Sequence, residues 1–172
     1  ITSIATTTNK YLSINTTAAT QDNGTSIWGA AQPTSTVFGI TSGNAVVANT
    51  DCIAYCFAPV VGYSSAFSYT GNGLADGPAI YLGFRPRLII IKKTDSVSNW
   101  TIRDTSRDTY NKSTLDLYPN SSAAETSPGP DIDILSNGFK CRDAGGSATN
   151  SSGGTYIGFA WAEMPFNYSR AR

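Results

Sequence analysis

Asp131-Ile132-Asp133-Ile134-Leu135-Ser136-Asn137-Gly138-Phe139-Lys140-Cys141 is the stretch on which the fold turns. Polar and apolar residues alternate on both sides of Asn137-Gly138, and a half-buried strand requires that period of two. Asn-Gly between such runs is the strongest short-range hairpin signal, because a tight turn wants residues that tolerate positive φ. Two antiparallel strands are therefore predicted, Asp133–Leu135 and Phe139–Cys141. Upstream, Ser121–Pro130 holds Pro128 and Pro130, which have no amide donor for a ladder, and reads as a surface loop.

Further out, Ala79-Ile80-Tyr81, Leu88-Ile89-Ile90-Ile91-Lys92 and Trp100-Thr101-Ile102-Arg103 read as strands, and the unbroken run Leu88–Ile91 suits one covered on both faces. Ile53–Ala58 and Ile157–Ala162 read as strands with unequal faces. Ile53, Tyr55 and Phe57, like Ile157, Phe159 and Trp161, make one face large. Cys52, Ala54, Cys56 and Ala58, like Gly158, Ala160 and Ala162, make the other small. The large face is expected to fill a core, and the small face to admit close approach of a sheet or a neighbouring subunit. Asp22-Asn23-Gly24, Ser42-Gly43-Asn44, Gly71-Asn72-Gly73, Asp76-Gly77-Pro78, Ser136-Asn137-Gly138 and Gly153-Gly154 supply turns through positive or pre-set φ. Short strands with turns at such spacing predict an all-β sandwich.

Composition agrees. Ser, Thr, Asn and Gly number 20, 21, 12 and 16 of 172 residues, against 14% charged. That is a turn-rich rather than a helix-rich alphabet. With 12 Lys plus Arg against 12 Asp plus Glu, the chain lacks the basic footprint of a nucleic-acid binder. Its strongly apolar runs are too short for a membrane-spanning helix, and 40% hydrophobic residues are enough to build a core.

The chain also repeats itself. Ile53-Ala54-Tyr55-Cys56-Phe57-Ala58-Pro59 matches Ile157-Gly158-Phe159-Ala160-Trp161-Ala162-Glu163 at an offset of 104, and Asn15–Ala19 matches Asn120–Ala124 at 105. Leu12 and Ile14 with Leu115 and Leu117, Asn9-Lys10 with Asn111-Lys112, and Phe38 with Phe139 keep the same order. About one and a half copies of a roughly 104-residue unit are predicted. Residues 1–61 would be the C-terminal part of a preceding copy, and residues 62–172 a complete one. The chain is then expected to be the C-terminal end of a longer protein.

Little of this alphabet suits catalysis. There is no histidine, so no Ser/His/Asp or Cys/His arrangement exists. Asp104, Asp108, Asp116, Glu125, Asp131 and Asp133 are the carboxylates from which a glycosidase pair would have to come. Cys52 and Cys56, four apart on one strand face, would stand about 13 Å from each other, too far to share a zinc ion. All three cysteines, Cys141 included, are expected as reduced, buried thiols. Asp131, Asp133 and loop carbonyls are the residues from which a calcium site would be built. Aromatics in or beside polar loops, Trp28, Tyr63, Tyr69, Tyr110 and Tyr118, are candidates for stacking on sugar rings, or else close the sandwich edges. Arg103 and Arg107 with Asp104 and Asp108 read as a solvated, charge-paired edge that blunts unwanted strand pairing.

A family resemblance enters with Gly71-Asn72-Gly73-Leu74-Ala75-Asp76-Gly77-Pro78, Tyr81-Leu82-Gly83-Phe84-Arg85-Pro86 and Ile90-Ile91-Lys92-Lys93-Thr94-Asp95 with Asn99-Trp100. Together with Asn120–Glu125, Asp133–Lys140, Gly153–Ile157 and Ala160–Phe166, these segments resemble a repeated β-domain of tailed-bacteriophage virion proteins. The resemblance covers residues 62–166 densely and implies a lectin-like β-sandwich in a tail fibre or other appendage. The role it implies is structural, with a contribution to host-surface glycan recognition. A head decoration, head fibre or baseplate protein is the alternative, with the small strand faces buried against partners. Implied partners are other copies of the chain as a homotrimer, other virion proteins and host polysaccharide, without nucleic acid or membrane insertion. The implied place is the virion, assembled in reducing host cytoplasm. No catalytic residue, metal or cofactor carries over. Gly83 and Pro86 look structural, a bend and a strand end.

Overall fold

A computed structural model describes residues 10–22, 34, 36–39, 51, 53–127, 129–146 and 148–164. Its elements are β1 (Lys10–Tyr11), β2 (Gln21–Asp22), β3 (Ser64–Thr70), β4 (Ala79–Tyr81), β5 (Pro86–Lys93), β6 (Trp100–Asp104), β7 (Ile132–Leu135), β8 (Gly138–Cys141) and β9 (Thr155–Ala162). The described residues are all-β. The chain divides into two compact units, residues 1–13 with 20–57, and residues 14–19 with 58–172. In the first, β1 and β2 form a two-stranded antiparallel ribbon.

The second unit has a four-stranded antiparallel sheet in the order β3-β9-β5-β6 and a three-stranded one in the order β4-β8-β7. They pack face to face. Phe67, Ile89, Ile91, Tyr156, Ala160 and Ala162 of the larger sheet share one core with Ile80, Ile132, Ile134, Phe139 and Cys141 of the smaller. The predicted strands at Ala79–Tyr81, Leu88–Lys92 and Trp100–Arg103 all lie within observed ones. β5 sits between β9 and β6, and its Ile89 and Ile91 are buried while Leu88 and Ile90 on the other face are half-buried.

The hairpin forms, with Leu135 opposite Gly138, but its two-residue loop is Ser136-Asn137 and Gly138 already belongs to β8. Gly138 is not among the positive-φ glycines. Its role is close approach, since a Cβ there would stand 1.9 Å from the Ile80 carbonyl oxygen. Gly83 does bend the chain, with φ at 81°. Pro86 opens β5 instead of ending a strand, at a site where the β5–β9 register shifts.

The expected sense of the unequal faces is reversed. In β9 the small residues Gly158, Ala160 and Ala162 are buried, with Ala160 and Ala162 in the core cluster, while Ile157, Phe159 and Trp161 lie on the other face and are half-buried. The reason is who fills the space. Phe67, directly across from Gly158, lays its ring where a Cβ would be, 2.4 Å from the ring carbon Cζ. Large side chains from neighbouring strands occupy the core, and β9 makes room for them. Ile53–Ala58, the proposed counterpart of β9, forms no strand, and Ile53, Tyr55 and Phe57 are exposed. Cys56 is exposed as well, against the expectation of a buried thiol. Cys141 is fully buried, and burial pushes its thiol up to about 11. Cys52 lies outside the described residues.

Candidate functional site

In the three-stranded sheet Ile80, Ile132, Ile134, Phe139 and Cys141 take the core face. Alternation therefore turns Ala79, Tyr81, Asp133, Leu135, Gly138 and Lys140 outward. Register sets them in two rows, Tyr81–Gly138–Leu135 and Ala79–Lys140–Asp133. Tyr81 is 76% exposed. Its neighbour in the row is Gly138, with no side chain to lean on the ring, and a Cβ on Gly83 would lie 3.8 Å from its hydroxyl. An aromatic ring thus stands open on the outer face of the sheet.

Beside it runs a charge-balanced ladder. Lys140 Nζ lies 2.5 Å from Asp76 Oδ1, Arg142 Nη1 3.6 Å from the same oxygen, and Arg142 Nε 3.3 Å from Asp133 Oδ2. The hydrogen bond from Lys140 holds the Asp76 carboxyl below its usual range. Because the ladder is two cations against two anions, it presents paired donors and acceptors without net field.

The far edge of β7 is closed by residues 111–113. Ser113 exchanges two backbone bonds with Ile132, at 2.8 and 3.1 Å. The Asn111 amide takes both backbone groups of Ile134, each at 2.9 Å. Tyr110, 84% exposed, immediately precedes this closing segment.

The tyrosines singled out in sequence have different fates. Tyr110 borders this sheet. Tyr63 is 37% exposed in the turn before β3, where its amide donates to the Val60 carbonyl at 2.9 Å. Tyr118 is half-buried. Tyr69 is no loop residue. It stacks on Tyr156 with centroids 4.8 Å apart, meets Phe139 edge-on, and donates its hydroxyl to the Thr149 carbonyl at 2.8 Å. Burial raises its phenol well above the usual value. Trp28 lies outside the described residues. Tyr81 was not singled out, although Ile80 between two outward neighbours is the signal that would have found it.

The carboxylates are engaged in structural pairs. Asp104 accepts from Arg107 Nε at 2.5 Å and from the amides of Ser106 and Arg107, which together outweigh burial and lower its pKa. Asp108 accepts the amides of Thr114 and Leu115. Glu125 pairs with Arg107, and Asp131 with Lys112. Asp131 and Asp133, the calcium candidates, are thus each held by a cation, and no metal-binding cluster occurs among the described residues.

Arg103 is not part of a solvated edge. Both it and Asp116 are fully buried, with Nη2 2.8 Å from Asp116 Oδ1, and the guanidinium also donates to the carbonyls of Ser113 and Pro130. Neither Asp116 oxygen receives an aligned hydrogen bond. Burial pushes its carboxyl up to about 6 despite the Arg103 charge. Gly129 makes this packing feasible, since a Cβ there would be 2.4 Å from Asp116 Oδ2.

Another closed polar cluster locks the loop before β4. Asn150, fully buried, accepts the Asn72 amide at 2.9 Å and donates to Asn72 Oδ1, Leu74 O and Asp143 O at 3.2, 2.8 and 2.9 Å. The Gly71–Pro78 motif is therefore a packing device that delivers the chain to β4.

A family model described as a domain of unknown function, DUF7483, matches residues 1–165. No curated protein and no solved structure matches the chain. A match over nearly the whole length places the chain in a family, and it belongs to DUF7483.

Proposed function

We propose that this chain is a lectin-like module of a bacteriophage virion appendage that contributes to binding of host-surface glycan. The observation that carries the reading is the outer face of β4-β8-β7, with Tyr81 open beside a neutral Asp76–Lys140–Arg142–Asp133 ladder. A sugar ring offers an apolar face to an aromatic side chain and hydroxyls to paired carboxylates and cations, and this surface carries both partners side by side. The resemblance of residues 62–166 to phage virion β-domains supplies the biological setting. Single sites of this kind bind weakly, and repetition over many copies supplies avidity.

The alternative of a purely structural head, head-fibre or baseplate protein rests on two small strand faces as partner surfaces, Ala54-Cys56-Ala58 and Gly158-Ala160-Ala162. The second is inside the core, which removes it as a partner surface, whereas the first is exposed beside Ile53, Tyr55 and Phe57 and keeps the alternative in play. The test is adsorption to host cells of the protein displayed on beads, with native and with periodate-oxidised surface glycan, for the wild type and Tyr81→Ala. Adsorption that is lost on oxidation and reduced at least about tenfold by the substitution supports the reading. Folded wild-type protein that fails to adsorb sinks it.

A further inference from the structure

Of the outer strands of the two sheets, β3 alone is both long and bare among the described residues. On β6 the Trp100 amide donates to Asn120 Oδ1 at 2.8 Å, and Ile102 exchanges bonds of 2.8 and 3.2 Å with Leu117. Asp104 accepts the Asp108 amide at 3.3 Å. On β7 Ser113 and the Asn111 side chain take every outward group of Ile132 and Ile134. β4 is only three residues long.

On β3, the bonds Ala162 N–H to Tyr63 O and Gly71 N–H to Gly154 O fix which residues face β9. Ser65, Phe67 and Tyr69 bond inward, and Ser64, Ala66, Ser68 and Thr70 point outward. Ser64 exchanges two 2.9 Å bonds with Val60. Beyond it, the outward amides and carbonyls of Ala66, Ser68 and Thr70 have one partner between them, the Ser65 hydroxyl at 3.3 Å from the Ala66 carbonyl. The strand carries no charge and no proline, and its register with β9 runs unbroken from Ser64 to Thr70. Beyond Ser64, which Val60 and the Ala58 carbonyl cover, the devices by which proteins blunt an edge are missing from it.

We infer that the β3 edge pairs with the β3 edge of a second copy, antiparallel, with Ser68 opposite Ser68 on a two-fold axis. The strand is complementary to itself in that register. Ala66 falls opposite Thr70 of the partner, and Ser68 opposite its own counterpart. Each of the three pairs exchanges two bonds, six in all. The facing side chains are small and uncharged, so two identical edges meet without clash or repulsion, and the two four-stranded sheets join into one of eight. A contact of this kind is isologous and closes at two copies, a two-fold pairing distinct from the homotrimer that the phage resemblance implies. It is independent of the glycan surface on the opposite sheet.

Sedimentation equilibrium of the full chain tests this, with two variants. Ser68→Lys sets two cations across the axis at an exposed position and is expected to weaken the dimer roughly 100-fold with an unchanged circular dichroism spectrum. Ser68→Cys, in a Cys52→Ser/Cys56→Ser background, is expected to form a reducible crosslinked dimer, because hydrogen-bonded antiparallel pairs set Cα atoms about 5.5 Å apart, within disulfide range. A wild type that stays monomeric, an oligomer that survives Ser68→Lys, or a Ser68→Cys chain that does not crosslink would each overturn the inference.

Discussion

Acidification from neutral pH should stabilise this protein, and Asp116 is the reason. Its carboxyl is buried against Arg103 without an aligned hydrogen bond, and its pKa rises from 3.8 to about 6. A carboxyl raised in the folded state takes up its proton more readily folded than unfolded. Stability is therefore lowest above about pH 6 and recovers as pH falls from there towards 4. The full shift, about 2.2 pKa units, corresponds to roughly 3 kcal/mol. Over the practical range from about pH 7.5 to about pH 5, roughly 1.4 kcal/mol is recovered. Neutral Asp116 does not strand Arg103, whose guanidinium keeps the carbonyls of Ser113 and Pro130.

The window is otherwise nearly silent, because the chain has no histidine. Lys92, lowered by burial to about 8, is already mostly charged at pH 7.5 and subtracts only about 0.2 kcal/mol. For a chain of this length the net of about 1.2 kcal/mol corresponds to about 2–5 °C. Scanning calorimetry across that pH range should show Tm rising by this amount for the wild type and staying flat for Asp116→Asn. A wild-type Tm that falls steadily on acidification, or an Asn variant that keeps the rise, would refute the reasoning.

Gly158→Ala should cost roughly 3 kcal/mol in a denaturant titration, since the added carbon meets the Ile90 carbonyl at 2.2 Å and the Phe67 ring at 2.4 Å and the backbone partner cannot swing away. Asn150→Ala should cost roughly 3 kcal/mol by the same assay, because it strands the Asn72 amide and the Leu74 and Asp143 carbonyls. Tyr81→Ala should move stability by less than about 0.5 kcal/mol while it reduces adsorption, which separates a binding role from a packing one.

What could be read in the chain was local and periodic. Leu88–Ile91 announces itself as an unbroken apolar run, and Trp100–Arg103 and the Asp133–Cys141 hairpin through alternation and turn chemistry, and each falls within observed strands. Which face of a strand turns inward was not legible for β9. Facing depends on what the neighbouring strands bring, and the Phe67 ring over Gly158 comes from a strand ninety residues upstream. The same limit applies to Ile53–Ala58, whose apolar residues imitate β9 in sequence without being built into a strand. Tyr110 was legible as an exposed aromatic among polar neighbours. Tyr81 was hidden inside a short strand, because a three-residue segment shows too little alternation to declare its face.

The order of strands also bears on how the protein comes into being. β9, which separates β3 from β5 in the finished sheet, is the last of the three to be synthesised. About ninety residues are added after β3 begins before its partner appears, which at about 5–20 residues per second leaves an interval on the order of 5–20 s. During it the Leu88–Ile91 run has no inner neighbour, and the nascent chain carries two strand edges looking for the same missing piece. A ribosome that stalls, or a stop introduced before Thr155, would release that species for good. Its fate would be aggregation or capture by a chaperone rather than a shortened but folded product.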